Sequence, residues 1–507
     1  MSLSEEKELS IEDLIEILGS TIKHDDDNKV ITFLVMLLTY THEDQINLGF
    51  LAESSTGKSY IPLEISAYFP QEDVIKIGYA SPSSWSHLPS TLMSKYGVPI
   101  TDEHRPTRAK VKEELEFEGE KPSKEEIEAE YQKRKRLWKE MLKESYYLVD
   151  FERKIVIFLD MPHYLFLQRI RPLASHDERE ITHIITDKKE RHGLRTKKIV
   201  IRGFPTIVYC SAKLGMEEQE KTRLLLLSPE KSQEKLRESI FLKIEREADR
   251  DAFIKRLMED PKRKMLMERV RRIKEANIRN VIIPEELRSF IYTQFMEDHP
   301  YLIPRHQRDI SRLLALIKAH ALLNFMNRKQ TGNPICRNII VNEKDVEAGF
   351  RLYYSIAEAN EFGLSPELWE IYRKLKPYFN ENGLTILEFQ KAYFKEFHKP
   401  IGYKYAKEIL QTLESAGLLY HEPDPSDKRK LRYKPLESGV KNSSNGIGEL
   451  YDILRNELPE PFYENKAIDL IIKVRKCSFE EAERIFQIFV DEGKLFRDPY
   501  GLWHWSK

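Results

Sequence analysis

The chain has 507 residues, with 82 Lys plus Arg against 83 Asp plus Glu and a formal net charge of −1. That length holds three or four domains of ordinary size, and the balanced charge excludes a uniformly basic polyanion binder, leaving any such attraction to local patches. Three cysteines, Cys210, Cys336 and Cys477, lie far outside metal-ligand spacing of one another, which argues against a disulfide framework and a zinc site and fits a reducing cytoplasm. The opening MSLSEEKELS is acidic without an apolar stretch. No run of about 18 apolar residues occurs, so neither export nor membrane spanning is expected.

In chain order, residues 10–40 carry Ile11, Leu14, Ile15 and Leu18, then Val30, Phe33, Leu34 and Leu37 after an acidic turn at 25–27, which predicts two helices. Residues 46–52 form a short apolar run ending in a Ser/Gly-rich turn and a helix. Residues 74–80 form a second strand ending at Ser81, Pro82 and Ser83, a βαβ opening. Residues 103–144 hold 24 charged residues among 42, with Glu/Lys pairs at i,i+4, and so predict a solvated helical insertion that does not join the core. Strands at 154–159, 198–201, 206–210 and 224–227 continue the series, and their alternation with helices predicts a mostly parallel sheet. Residues 232–330 read as helices only. Helices at 368–378, 386–397 and 403–416, followed by strands at 418–420 and 430–433, give three helices and a two-stranded wing, a winged helix. After the linker GVKNSSNG (439–446) the pattern repeats, with helices at 448–458, 467–474 and 479–492 and strands at 494–496 and 502–505. The expected fold is α/β: a parallel-sheet core over 1–231 with an insertion at 103–146, a helical lid over 232–362, and winged helices over 363–438 and 446–507.

Residues 52–59 read AESSTGKS, the phosphate-loop pattern GxxxxGK[ST] with Ala52 in place of the first Gly. A strand delivers such a loop, and the amides of Ser54, Ser55, Thr56, Gly57, Lys58 and Ser59 would face the phosphates of ATP at a helix start. Lys58 would reach the β- and γ-phosphates, and the Ser59 hydroxyl would bind Mg²⁺. The bland alternative is a chance GKS in a loop. The run 156–160, VIFLD, places Asp160 at a strand end as a second Mg²⁺ ligand. The usual Asp-Glu pair is missing, since Met161 and Pro162 come next, and Glu53 and His163 are candidates for the second role. The competing reading of Asp160 is a strand-end acid capping the next helix.

Residues 28–350 resemble the AAA+ core of the minichromosome maintenance helicases and related archaeal mobile-element ATPases. In EKTRLLLLSP, Arg223 falls where that family has a trans-acting arginine finger. RDISRLLALIKAHA (308–321) resembles the family's lid helix and places Arg308 at the sensor 2 position, and VNEKDVEA (341–348) is similar to the opening of the family's next helix. TIVYCSA (206–212) offers Ser211 at the sensor 1 position, where the family has Asn. For Ala319, His320 and Ala321 the competing reading is simple helix packing. Only 45 residues precede the strand that begins at Ile46, and they match no DNA-binding collar of that family. The resemblance implies a hexameric ring that hydrolyses ATP between subunits and translocates on DNA as a helicase, with replication proteins as partners. Rival readings are an initiator or loader ATPase, and a nucleotide-switched DNA-binding regulator that does not unwind. Met161 and Ser211 favour the switch.

EITHIITDKKERHGLRTKKIVIRG (180–203) reads as a hairpin. In the resembling helicases a hairpin at this place points into the ring pore. This one carries Lys188, Lys189, Arg191, His192, Arg195, Lys197 and Lys198, which would hold DNA phosphates without reading sequence; the competing reading is a solvated charged loop. Lys404, Lys407, Lys428, Arg429, Lys430 and Arg432 add charge to the first winged helix. Trp503 and Trp505 are expected to pack the second wing.

Overall fold

The computed structural model describes residues 7–53, 56–81, 90–117, 122–187, 195–211, 223–299, 302–303, 305–333, 336–379, 382–425 and 430–436, with parts of 454–505. Two compact units emerge: Met1–Leu375 with Tyr393–Ala416, and Lys376–Ala392 with Gly417–Lys507. In the first, the strands are β1 (Asn47–Leu51), β2 (Val74–Ile77), β3 (Thr91–Met93), β4 (Tyr146–Asp150), β5 (Ile155–Phe158), β6 (Glu180–Asp187), β7 (Arg195–Arg202), β8 (Thr206–Ser211), β9 (Leu224–Leu227), β10 (Ile278–Ile282), β11 (Gln330–Asn333) and β12 (Cys336–Ile340). The helices up to residue 361 are α1 (Ile11–Leu18), α2 (Asp26–Leu37), α3 (Tyr60–Ser66), α4 (Arg108–Phe117), α5 (Lys124–Lys143), α6 (Tyr164–Ala174), α7 (Gln233–Ala248), α8 (Arg250–Glu259), α9 (Pro261–Ala276), α10 (Glu285–Asp298), α11 (His306–Leu323) and α12 (Glu343–Glu361).

Strands β1, β5, β8 and β9 are buried along their whole length, as expected for apolar runs with no polar alternation, which need cover on both faces. They form an all-parallel sheet in the order β2-β5-β8-β1-β9. The outer edge at β9 is closed by a side chain: the Asn360 amide donates to the Leu226 carbonyl and accepts its N–H, both at 2.9 Å, standing in for one rung of a further strand.

Two expectations are corrected. Strand 198–201 does not continue the main sheet: it is part of β7, in a second sheet ordered β3-β4-β7-β6. Its partner β4, YYLVD, lies directly after the charged insertion, whose composition masked it. The insertion itself is a helical pair, α4 and α5, that leaves from β3 and returns as β4, tied by Arg108–Glu128 at 2.7 Å and by Arg134 to Glu114, with Val111 its one buried side chain among the residues described there. Nor are residues 232–330 purely helical, because β10 pairs with β12 and β12 with β11. Asn277 takes left-handed backbone at the end of α9 (φ 48°) and starts the strand, while exposed Arg279 and Asn280 interrupt its apolar pattern.

Helix α2 is buried at every residue from Lys29 to Leu37, so it runs through the core. Against it pack α11 and α12. Gly349 sits where these two meet: a Cβ there would lie 2.2 Å from Ile317 Cγ1 and 3.0 Å from its Cα, so only glycine fits. Ala319 and Ala321 are fully buried, and His320 Nδ1 lies 2.7 Å from Asp345 Oδ1. Arg328 grips the same carboxylate at 2.7 and 2.6 Å. Burial pushes the Asp345 carboxyl up, but the bonds to His320 and Arg328 outweigh it and hold it below the usual range. The two lid segments noted in the sequence thus meet, and the role the contacts show is packing.

After α12 come α13 (Pro366–Leu375), α14 (Ile386–Phe397), which contains the unit boundary, and α15 (Tyr403–Ser415). In the second unit β13 (Leu384–Thr385), β14 (Leu419–Pro423) and β15 (Leu431–Pro435) form a sheet ordered β13-β15-β14. The distal strands β16 (Leu495–Arg497) and β17 (Trp503–Trp505) pair antiparallel. Trp503 and Trp505 are buried with Phe462 and Phe486, so they pack and offer no stacking platform. No helix among the described residues is long and apolar enough to cross a membrane.

Asp345→Ala takes from the buried Arg328 guanidinium the carboxylate that accepts two of its N–H groups, leaving it Glu8 at 2.7 Å, and strips His320 of its partner; it should cost about 3 kcal/mol of unfolding free energy in urea. A loss below about 1 kcal/mol contradicts this reading of the network.

Candidate nucleotide-binding site

Strand β1 lies between β8 and β9. The chain leaves β1 for β2 at one edge of the sheet and leaves β8 for β9 on the other side. Connections departing in opposite directions open a crevice at the C-terminal ends of neighbouring parallel strands, where ligands of open α/β sheets bind. Three sequence candidates meet at that end. The Ala52 N–H, at the end of β1, bonds the carbonyl of Ser211 at the end of β8 (3.3 Å), and Asp160 comes just after β5, with its N–H on the Gly78 carbonyl (3.1 Å). Ala52 and Ser211 are buried, and Asp160 is exposed.

Past Ala52 the backbone turns. Gly57 has φ +95°, which a side chain rarely tolerates. The Glu53 carbonyl accepts the Thr56 hydroxyl at 2.9 Å and Lys58 Nζ at 3.4 Å. The Gly57 carbonyl receives the N–H groups of Tyr60 and Ile61 at 3.0 and 3.2 Å. Beneath the loop the buried thiol of Cys210 donates to the Lys58 carbonyl at 3.4 Å, a contact that a strand-to-loop pattern alone does not disclose. Burial pushes that thiol up to about 11. Helix α3 has seven residues, and Ser59 at its N-cap bonds no amide through its hydroxyl. A helix this short has a weak dipole, so any attraction for phosphate would rest on Lys58 and the loop amides. Ser54 and Ser55 lie outside the described residues.

Asp160 does not cap a helix. Its Oδ1 accepts the Met161 N–H at 2.8 Å, and α6 begins at Tyr164 with His163 as its cap, Nδ1 accepting the Leu165 N–H at 3.3 Å. His163 is thus occupied structurally. Glu53 is occupied too: its carboxylate lies 2.7 Å from Lys399 and 3.2 Å from Lys231. Burial raises it, yet Lys399 and Lys231 outweigh burial and keep it below the usual carboxylate range. Among the described residues no group of three or more metal-type side chains gathers. Ser59 and Asp160 suit Mg²⁺, which commonly takes one or two protein ligands and completes its shell with phosphate oxygens and water.

The two arginines are placed differently. Register pairs Leu224 with Asn47, which puts Arg223 at the opposite end of the sheet, about 20 Å from Ala52 at 3.3 Å per strand residue; its Nε bonds Ser175 Oγ at 2.7 Å. Arg308 is exposed on the first turn of α11. One turn on, Arg312 is fully buried and docks α11 on the sheet, bonding Asp309 Oδ1 and the Leu224 carbonyl, both at 2.6 Å. Burial pulls its guanidinium down to about 10.

The expected basic hairpin is present as β6 and β7, paired from Glu180↔Arg202 to Asp187↔Arg195. Lys198 is exposed, its Nζ 5.5 Å from the Tyr146 ring centre. Arg195 and Lys197 stand on β7; the tip with Lys188, Lys189, Arg191 and His192 lies outside the described residues, as do Lys428 and Arg429. Arg432 is held by Asp424 (2.7 Å) and Glu388 (3.3 Å), so it serves the β13-β15-β14 unit and is not offered to a phosphate.

No protein-family model matches the chain, and no curated protein matches it. Among solved structures it is similar to the A form apo structure of the NrS-1 C-terminal region, at 11% identity over 68% of this chain and 79% of that one, with a TM-score of 0.21, a likeness too slight to fix fold or function.

With its thiol raised to about 11, Cys210 should be alkylated at pH 8 on the order of a hundredfold more slowly in the native protein than in urea, since only the thiolate reacts. The reaction should accelerate only as pH climbs toward that value. Peptide-resolved mass spectrometry after iodoacetamide treatment measures this; equal native and denatured rates contradict the burial of Cys210 under the loop.

Proposed function

We propose that the chain is an ATP-hydrolysing motor acting on DNA, of the AAA+ type resembling the minichromosome maintenance helicases and assembled as a ring in the cytoplasm. The observation that supports this most is the fall of AESSTGKS at the end of β1, in the crevice where Ser211 ends one neighbouring strand and Asp160 succeeds another. In this reading Lys58 leaves the Glu53 carbonyl to neutralise the β- and γ-phosphates, and Ser59 and Asp160 hold the metal. A Mg²⁺ ion held there would supply positive charge for the phosphates. Ser211 orients the attacking side as sensor 1, with Arg308 as sensor 2. Arg223, too far to reach its own loop, serves the loop of a neighbouring subunit. The β6–β7 hairpin supplies the basic contact to DNA, and the elements 366–435 and 454–505 act as winged helices.

A second reading is an ATP-regulated initiator, loader or DNA-binding regulator. It is favoured by one observation: Met161 stands next to Asp160 where the second carboxylate would be, and the two candidate substitutes, Glu53 and His163, are engaged in other bonds.

In the motor reading Lys58→Ala and Arg223→Ala each lower DNA-dependent ATP hydrolysis more than about a hundredfold. Mixing the two variants restores part of it, because some interfaces then carry an intact loop and an intact finger. Intact protein unwinds a forked duplex. ATP binding without hydrolysis or unwinding supports the switch instead.

Replacing Lys188, Lys189 and Arg191 together with Ala should flatten the dependence of log affinity on log salt by up to about 2.7, roughly 0.9 per lost phosphate contact, with equal loss for unrelated duplexes. An unchanged slope removes the hairpin from the DNA interface.

A further inference from the structure

The carbonyl of Glu53 receives both the Thr56 hydroxyl and Lys58 Nζ, so the placement of this one residue sets where the phosphate-binding lysine rests. Its side chain is fixed by residues from far along the chain. Lys399, between α14 and α15, reaches its Oε2 at 2.7 Å, and Lys231, four residues past β9, reaches the same oxygen at 3.2 Å. Lys231 is in turn shared with Glu367 on the first turn of α13. Glu367 is buried, its Oε1 accepts the Tyr405 hydroxyl at 3.3 Å, and its Oε2 has no hydrogen-bond partner. Two carboxylates therefore compete for Lys231, and a buried carboxylate short of partners draws strongly on any cation it has. Without Lys399, Glu53 would keep only a contested share of Lys231.

We infer that Lys399 and Lys231 are positioning residues of the phosphate-binding loop: they fix Glu53 and through it Lys58, so Lys399 and the Lys231–Glu367 pair set the affinity of the site for a nucleoside triphosphate. The inference rests on the nucleotide reading above for its ligand, while the fixing of the loop stands on the contacts alone. It makes Lys399 and Glu367 part of the nucleotide site, although they lie more than 300 residues from it in sequence.

The test compares the full-length protein with Lys399→Ala and Lys399→Arg by two readouts. The first is hydrogen exchange of the 56–59 amides without nucleotide. Exchange should quicken several-fold in Lys399→Ala and stay near the original rate in Lys399→Arg. The second is titration with ATP and Mg²⁺. Kd should rise about tenfold in Lys399→Ala, the loss of one charge-assisted bond, with kcat at saturation changed less than about twofold and Lys399→Arg largely restored. Lys399 is half exposed, so the fold should tolerate both changes. Unchanged exchange and unchanged Kd in Lys399→Ala overturn the inference. If the unmodified protein binds no ATP, the nucleotide reading falls and with it the claim about affinity, while the exchange rates still decide whether Lys399 fixes the loop.

Discussion

The hydrogen bond from the Ala52 N–H to the Ser211 carbonyl is, among the described residues, the last rung joining β1 to β8, and the shape of the loop that follows β1 depends on where that rung falls. Up to that point the backbone donors and acceptors of both strands are paired by their neighbours. Beyond it the chain must find other partners or offer its amides to a ligand. The residues of the loop meet this demand locally, through the carbonyls of Glu53 and Gly57, and do so around a glycine in left-handed backbone. Because β1 sits at the point where connections reverse direction, the ends of β8 and β5 are brought to the same place.

Helices α11 and α12 are tied to that sheet at its edge. Arg312 reaches the carbonyl of Leu224 at the start of β9, and the Asn360 amide pairs with Leu226 in its middle. Ser228, just past its end, donates to the Leu51 carbonyl. One short strand thus receives contacts from α11, from α12 and from the strand that carries the loop. A displacement at the loop has a short, bonded path to these helices, and the ion pairs of Lys231 extend it to α13.

How much of the fold was legible in the sequence depended on the range of the interactions involved. The parallel strands were legible because each is an uninterrupted apolar run, and the basic hairpin because two β-rich runs flank a charged turn. Strand β4 was hidden because YYLVD abuts a long charged helix, and β10 because Arg279 and Asn280 break its pattern. The loop AESSTGKS carries its chemistry in eight consecutive residues, whereas Lys231, Glu367 and Lys399 belong to no local pattern, and only folding brings them to Glu53. Arg312 is a similar case: one turn from the residue that the family resemblance singled out, it holds the buried position, while Arg308 faces outward. His163, weighed as a helper in catalysis, proved to be a helix cap.

A parallel sheet carries a glycine-bearing loop at its reversal point, a lysine resting on that loop and, after the second strand over, an exposed carboxylate. The proposed activity stands on a triphosphate lying against Lys58. The most direct measurement is a crystal structure of the intact protein with a non-hydrolysable ATP analogue and Mg²⁺. The terminal phosphates are expected within hydrogen-bond reach of Lys58 and of the 57–59 amides, with the metal on Ser59 and near Asp160. A nucleotide bound elsewhere, or a loop left as it is with Lys58 still on the Glu53 carbonyl at saturating analogue, would contradict this placement.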